Sequence, residues 1–141
     1  MIPTRERLPY LEVALASVCP QAQAAGAEVL VVDDAGESAR ARALAELHGA
    51  RYLAHPRPLG LNAARNSGVE HSGGALVVFI DDDVRVSPGW LQALLRAQEE
   101  NPAVDVFTGP VRARLEGPAP RSCGSGRPAS HRRRGPHRCI G

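Results

Sequence analysis

The 141-residue chain contains no lysine: its 17 basic side chains are all arginines, set against 15 acids for a formal net charge of +2. That absence excludes chemistry built on a lysine amine, such as a Walker-type phosphate loop or a Schiff base. Cysteine is scarce, and Cys19, Cys123 and Cys139 have no Cys-x-x-Cys spacing, so neither a zinc site nor a disulfide framework is indicated. His48, His55 and His71 are scattered without ligand spacing. Residues 1–7 hold no apolar core of a signal peptide, and no later apolar run nears the roughly 18 to 20 residues that span a bilayer. A cytoplasmic protein with no transmembrane segment is the expectation. The length suits one ordinary domain and is too short for two well-cored ones.

The near-neutral total conceals two compositions. Residues 1–117 carry 11 arginines and all 15 acids, a balance of −4, whereas residues 118–141 carry 6 arginines and no acid. From Pro118 onward the large aliphatics vanish, Ile140 excepted, and Gly, Pro, Ser, His and Arg dominate, so no core can form there. The expected organisation is therefore one domain over 1–117 and a disordered tail over 118–141. A shifted reading frame explains the abrupt change better than a flexible extension or a basic tail for nucleic acid, and no nucleic-acid partner is expected.

Within 1–117 the hydrophobic periodicity alternates between strand and helix. Leu8, Leu11, Leu15 and Val18 share one helical face, which should end near Pro20. Glu28 to Val32 reads as a buried strand that empties into Asp33-Asp34-Ala35-Gly36. A second helix is expected over Ser38 to His48 with Leu44 and Leu47 inward, a short strand over Arg51 to Ala54, and a third helix from Gly60 to about His71. Gly60, Ala64 and Gly68 would form a smooth stripe on that third helix. Ala75 to Ile80 is the most apolar strand candidate, and Asp81-Asp82-Asp83 follows it directly. Ser87-Pro88 should cap and start a fourth helix with Trp90, Leu91, Leu94 and Leu95 inward. Val104 to Phe107 and Val111 to Leu115 are further strand candidates. This order predicts an α/β fold with an open, mostly parallel, Rossmann-like sheet.

Ligands of such sheets bind outside the carboxyl ends of the strands, where both aspartate clusters fall. Adjacent carboxylates repel one another unless a cation or donor groups offset them, and with no lysine available a divalent metal is the economical partner for Asp81-Asp82-Asp83. A solvated turn with helix-capping carboxylates is the plainer alternative. Asp33-Asp34 could accept hydrogen bonds from a base or ribose, or could simply close an Asx-type turn. Arg65, in the third helix, could reach a phosphate or base edge, or serve as an ordinary salt-bridge partner.

Taken together and in order, Ile2-Pro3-Thr4-Arg5, Val31-Val32-Asp33-Asp34, Gly60-Leu61-Asn62-Ala63-Ala64-Arg65-Asn66-Ser67-Gly68 and Phe79-Ile80-Asp81-Asp82-Asp83 resemble the donor half of family 2 glycosyltransferases of the GT-A fold. The resemblance covers nearly all of residues 2–115. It implies metal-dependent transfer of a sugar from a nucleotide-diphosphate sugar to an acceptor that the sequence does not name. Thr4 and Asp34 would contact the nucleoside, with Asp33 beside them, and Arg65 would help hold the base or phosphate. Asp81 and Asp83 would be the two ends of the DXD motif. Asp82 would lie near the ribose and sugar, and Asp83, with Asp81, would bind Mn²⁺ or Mg²⁺.

The chain also departs from that pattern. Relatives of this kind begin with a fuller first strand, so the sheet is expected to lack most of its central strand. They continue into an acceptor-binding half that supplies a catalytic base, replaced here by the arginine-rich tail. The resulting expectation is an inactive donor fragment, with a non-catalytic nucleotide- or metal-binding module as the alternative. A receiver-type phosphotransfer domain would need a lysine. A haloacid-dehalogenase-like phosphatase would need Asp-x-Asp-x-Thr, and Arg85 stands at the last place of that pattern.

Overall fold

The computed structural model describes residues 1–114, and the tail expected to be disordered lies outside them. Residues Met1–Phe107 form one compact unit. Its elements run β1 (Ile2–Thr4), α1 (Leu8–Ala24), β2 (Leu30–Asp33), α2 (Ala39–Leu47), β3 (Arg51–Ala54), α3 (Leu61–Glu70) and α4 (Trp90–Glu100). The three strands form a parallel sheet in the order β1-β2-β3, with Ile2 opposite Val31 and Val31 opposite Tyr52. The α/β class and the parallel sheet are as expected; β1 is present, at three residues.

The alternation of side chains along a strand divides the core in two. Ile2 and Val31 join Leu11, Leu15 and Val18 of α1, Ala41 and Ala45 of α2 and Leu91 of α4 in the larger cluster. Leu30 and Val32 face the other way, onto Met1 and Ala64 of α3. The sheet is therefore covered on both faces, as parallel sheets require. The small-residue stripe holds for two of its three members: Ala64 and Gly68 are buried, and a Cβ added at Gly68 would collide with the Met1 side chain, whereas Gly60 is exposed and caps the helix.

Four expectations need correction. The first helix runs through Pro20 to Ala24. An interior proline costs about 3 kcal/mol, but the Pro20 ring lies on the exposed face while Cys19 and Ala22 beside it are buried. Gln21 reinforces this turn, donating to the Ser17 carbonyl at 3.1 Å. On α2, Leu44 packs against the core as expected, but Leu47 is 80% exposed, and the fully buried positions of the helix are Ala41 and Ala45. The fourth helix is capped by Gly89 in the left-handed conformation, not by Ser87. The side chain of Gln21 holds this start, accepting from the Leu91 amide at 3.2 Å and donating to the Ser87 carbonyl at 3.1 Å.

The fourth correction concerns the late strands. Ala75 to Ile80 is not a strand of the ladder, although it lies along β1: the Met1 ammonium donates to the Val78 carbonyl at 2.6 Å and the Ile80 amide to the Met1 carbonyl at 3.1 Å. That is one repeat of a parallel ladder. Alternate residues of a strand bond to the same side, so the next donor should come from Pro3, which has no N–H. Val104 to Phe107 is not a strand either; Val104 and Val106 are exposed, and without a ladder partner β propensity alone makes no strand. Residues 111–114 likewise carry no strand, and Leu115 lies outside the described residues.

The fold thus places β2 and β3 on one side of β1 and residues 78–80 on the other. The chain order reverses at β1, which makes the carboxyl end of β1 a topological switch point.

Candidate functional site

A cleft of about 380 Å³ opens at that point, lined by Thr4 at the end of β1, Arg5 and Arg7 after it, Asp34 after β2, Gly60 capping α3, Leu61 and Ala64 of α3, and Asp81, Asp82 and Asp83. Of the residues singled out in the sequence, Thr4, Asp34 and the three aspartates converge on it. Arg65 stands at its edge through Asp81, which accepts from the guanidinium at 3.0 Å. Asp33 does not line it.

The two adjacent aspartates of the β2 turn have separate tasks. Asp33 is buried; its Oδ1 accepts from the Ala35 amide at 3.1 Å, the Asx-type turn, and its Oδ2 accepts from the Tyr52 hydroxyl at 2.8 Å. Asp34 reaches across to the segment before α3. Its Oδ1 accepts from the Leu59 amide at 2.7 Å and lies 2.8 Å from His55 Nδ1, and its Oδ2 accepts from the Gly60 amide at 2.8 Å. Burial alone raises the Asp34 carboxyl, but the His55 ring and the two amides outweigh it and hold the group below the usual carboxylate range. His55 is itself buried and its Nε2 lies 2.9 Å from Ser67 Oγ, so the imidazole joins Asp34 to α3. Gly60 can follow Asp34 closely because its φ of 99° is open to glycine.

The aspartate run is neutralised by its neighbours. Asp82 is buried, accepting from the Thr4 hydroxyl at 2.8 Å and paired with Arg7 at 3.0 Å. Burial, opposed by these two partners, leaves its carboxyl above the usual range, with Asp83 and Asp81 adding to the rise. Asp83, about half exposed, pairs with the other terminal nitrogen of Arg7 at 3.0 Å. Arg7 also lies over the Tyr10 ring, 4.7 Å from its centroid. Arg7 thus offsets two of the three adjacent carboxylates, as a bound metal ion would.

Arg7 and His55 are the site residues that sequence reasoning missed. The signal for Arg7 was present, since a lysine-free chain with three adjacent aspartates must draw its organic counter-charge from arginine. His55 left none, because its partners are 21 and 12 residues away. Trp90 packs on the core and does not line the cleft.

Among the described residues, no three His, Cys, Asp or Glu side chains converge to hold an ion. The described residues thus offer no closed cage, but the half-exposed carboxylate of Asp83 at the cleft suits an open site. Mg²⁺ and Mn²⁺ accept one or two carboxylates beside waters and phosphate oxygens. Among the described residues, no helix is long and apolar enough to cross a membrane.

The chain is similar to known proteins in sequence and in fold. The family described as "Glycosyl transferase family 2" matches residues 1–134. The succinoglycan biosynthesis protein ExoM of Rhizobium meliloti is 37% identical over 105 residues, covering 70% of this chain and 33% of ExoM. Human polypeptide N-acetylgalactosaminyltransferase 15 is 32% identical over 91 residues, covering 57% of this chain and 14% of the enzyme. The crystal structure of Staphylococcus aureus TarS superposes with a TM-score of 0.62 at 21% identity, over 71% of this chain and 31% of TarS, and shares its fold. The chain spans a third or less of the length of each of these proteins.

Proposed function

The chain belongs to glycosyl transferase family 2, and from that premise we propose that its cleft binds the nucleotide diphosphate of a nucleotide-sugar donor for transfer of the sugar to an acceptor. The observation that carries this reading is the convergence of Thr4, Asp34 and Asp81 to Asp83 on one cleft at the switch point of the sheet. Asp34 and Thr4 lie at the nucleoside end. Arg65 supplies a cation for the base or a phosphate, and Asp82, fixed by Thr4 and Arg7, faces the ribose and sugar.

Asp83, with Asp81 beside it, is the ligand for Mg²⁺ or Mn²⁺. When bound, such an ion neutralises charge developing on the diphosphate leaving group. The protein's own share is positional: Asp34 orders the Leu59–Gly60 backbone, Arg7 holds Asp82, and α3 closes one wall of the cleft.

A second reading, binding without efficient transfer by these residues alone, has its own support. Every carboxylate that lines the cleft is engaged by an arginine, a hydroxyl or backbone amides. None is left as a ready base for an acceptor hydroxyl, and general-base catalysis typically contributes about 10² to 10⁴ in rate.

Thermal melts of the 141-residue chain with Mn²⁺ and UDP, GDP or dTDP test the donor reading, with Asp83→Ala as control. A ligand at about 100 times its dissociation constant adds roughly 2.7 kcal/mol. One nucleotide should raise the transition only with metal, and not in the variant; no shift with any of them refutes the reading. Sugar transfer to added acceptors, measured beside donor binding, separates the first reading from the second.

A further inference from the structure

Arg7 has no role in that scheme beyond holding Asp82, yet it is the one cation that touches two of the three aspartates among the described residues. Its Nη1 lies 3.0 Å from Asp82 Oδ1 and its Nη2 lies 3.0 Å from Asp83 Oδ2. The two ion pairs differ in kind. The Asp82 side chain is 5% exposed and further tied to Thr4, whereas the Asp83 side chain is 46% exposed. The first pair is anchored, and the second can open into water at little cost.

We propose that Arg7 is a positioning residue that competes with the divalent cation for Asp83, clasping the carboxylate when no ion is bound and yielding it when one arrives while keeping its hold on Asp82. This rests on the reading of Asp83 as a metal ligand. The guanidinium fork suits such an exchange, since one nitrogen can stay on Asp82 while the other is released toward the cleft. Arg7 stands just before α1 and over the Tyr10 ring, so its stem remains in place during the change. The freed N–H groups then face the space that the donor diphosphate would occupy, and Arg7 passes from a carboxylate to a phosphate. The exchange also keeps two adjacent aspartates from standing uncompensated before the ion binds.

The competition is read by direct Mn²⁺ titration of the nucleotide-free chain, followed by paramagnetic resonance of the free ion. Arg7→Gln should tighten Mn²⁺ binding about two- to fivefold, the scale of a half-exposed ion pair. Arg7→Lys, which retains a cation but loses the fork, should fall between. Arg5→Gln removes the same charge from the same cleft at a residue that forms no ion pair among the described residues, so it should have a smaller effect than Arg7→Gln. Equal effects of Arg5→Gln and Arg7→Gln, or no change in either, overturn the proposal while leaving the metal reading intact. Absence of Mn²⁺ binding with and without nucleotide overturns both. Should Arg7→Gln fail to fold, Mg²⁺ titration of the unaltered chain with nitrogen-15 arginine signals gives the answer: the Arg7 guanidinium resonances should move with ion occupancy, and their constancy would refute the exchange.

Discussion

Replacing Asp34 by Asn removes one charge and almost no volume, so its cost can be worked from the bonds that the carboxylate makes. Oδ1 accepts from Leu59 and faces His55, and Oδ2 accepts from Gly60. An Asn oxygen kept at the Oδ1 position preserves the first two contacts, but its NH₂ then meets the Gly60 N–H, donor against donor. One bond to a charged acceptor is lost, at about 1.5 to 3 kcal/mol. For a unit of this size, about 2 kcal/mol lowers the melting temperature by roughly 8 °C. The pH dependence supplies the internal check. A carboxyl held below its unfolded value of about 3.9 contributes stability that is complete above that value and is lost as pH falls through its folded value. The gap between the unaltered chain and Asp34→Asn should therefore be constant near neutrality and narrow below about pH 4. Urea denaturation of both proteins at several pH values measures it. A gap under about 0.5 kcal/mol at pH 7, or one that widens in acid, would refute the account of Asp34 as the tie between β2 and the start of α3.

Other substitutions probe the frame around the cleft. Leu15→Ala, at a fully buried position of α1, should cost about 2 to 5 kcal/mol in urea denaturation. Gly68→Leu should cost about 1 to 3 kcal/mol, because its side chain displaces Met1 from between α3 and the sheet. Tyr52→Phe deletes the hydroxyl that donates to Asp33 and accepts from the Ser38 amide, and should cost about 1 to 2 kcal/mol with nucleotide affinity unchanged. Arg65→Gln should move stability by less than about 1 kcal/mol, since its pair with Asp81 is largely exposed, while weakening nucleotide diphosphate binding by roughly tenfold in calorimetry.

Local pattern was sufficient for much of this molecule. Local pattern located α1, α2, β3 and α3 to within a few residues, and the Ala64, Gly68 spacing announced the close contact of α3 with the sheet. The aspartates at the ends of apolar runs marked the rim of the cleft, because in a parallel sheet each run ends on the same side. Where the pattern misled, the tertiary structure decided: Gln21 set the start of α4, and α2 turned Ala41, Ala45 and Leu44 to the core and left Leu47 outside.

What the sequence by itself determined was residue type and order: a lysine-free α/β chain with acidic strand ends and arginine as its only strongly basic residue type. Which aspartate faces the cleft and which closes a turn was decided by tertiary structure alone, since Asp33 and Asp34 are chemically the same and adjacent. Opposite directions from the strand end bring one to Tyr52 and the other to Leu59, Gly60 and His55. The same holds for Arg7, whose partners lie more than 70 residues away. Ion pairs depend on distance in space, and only the parallel return of the chain beside β1 brings those charges within 3.0 Å.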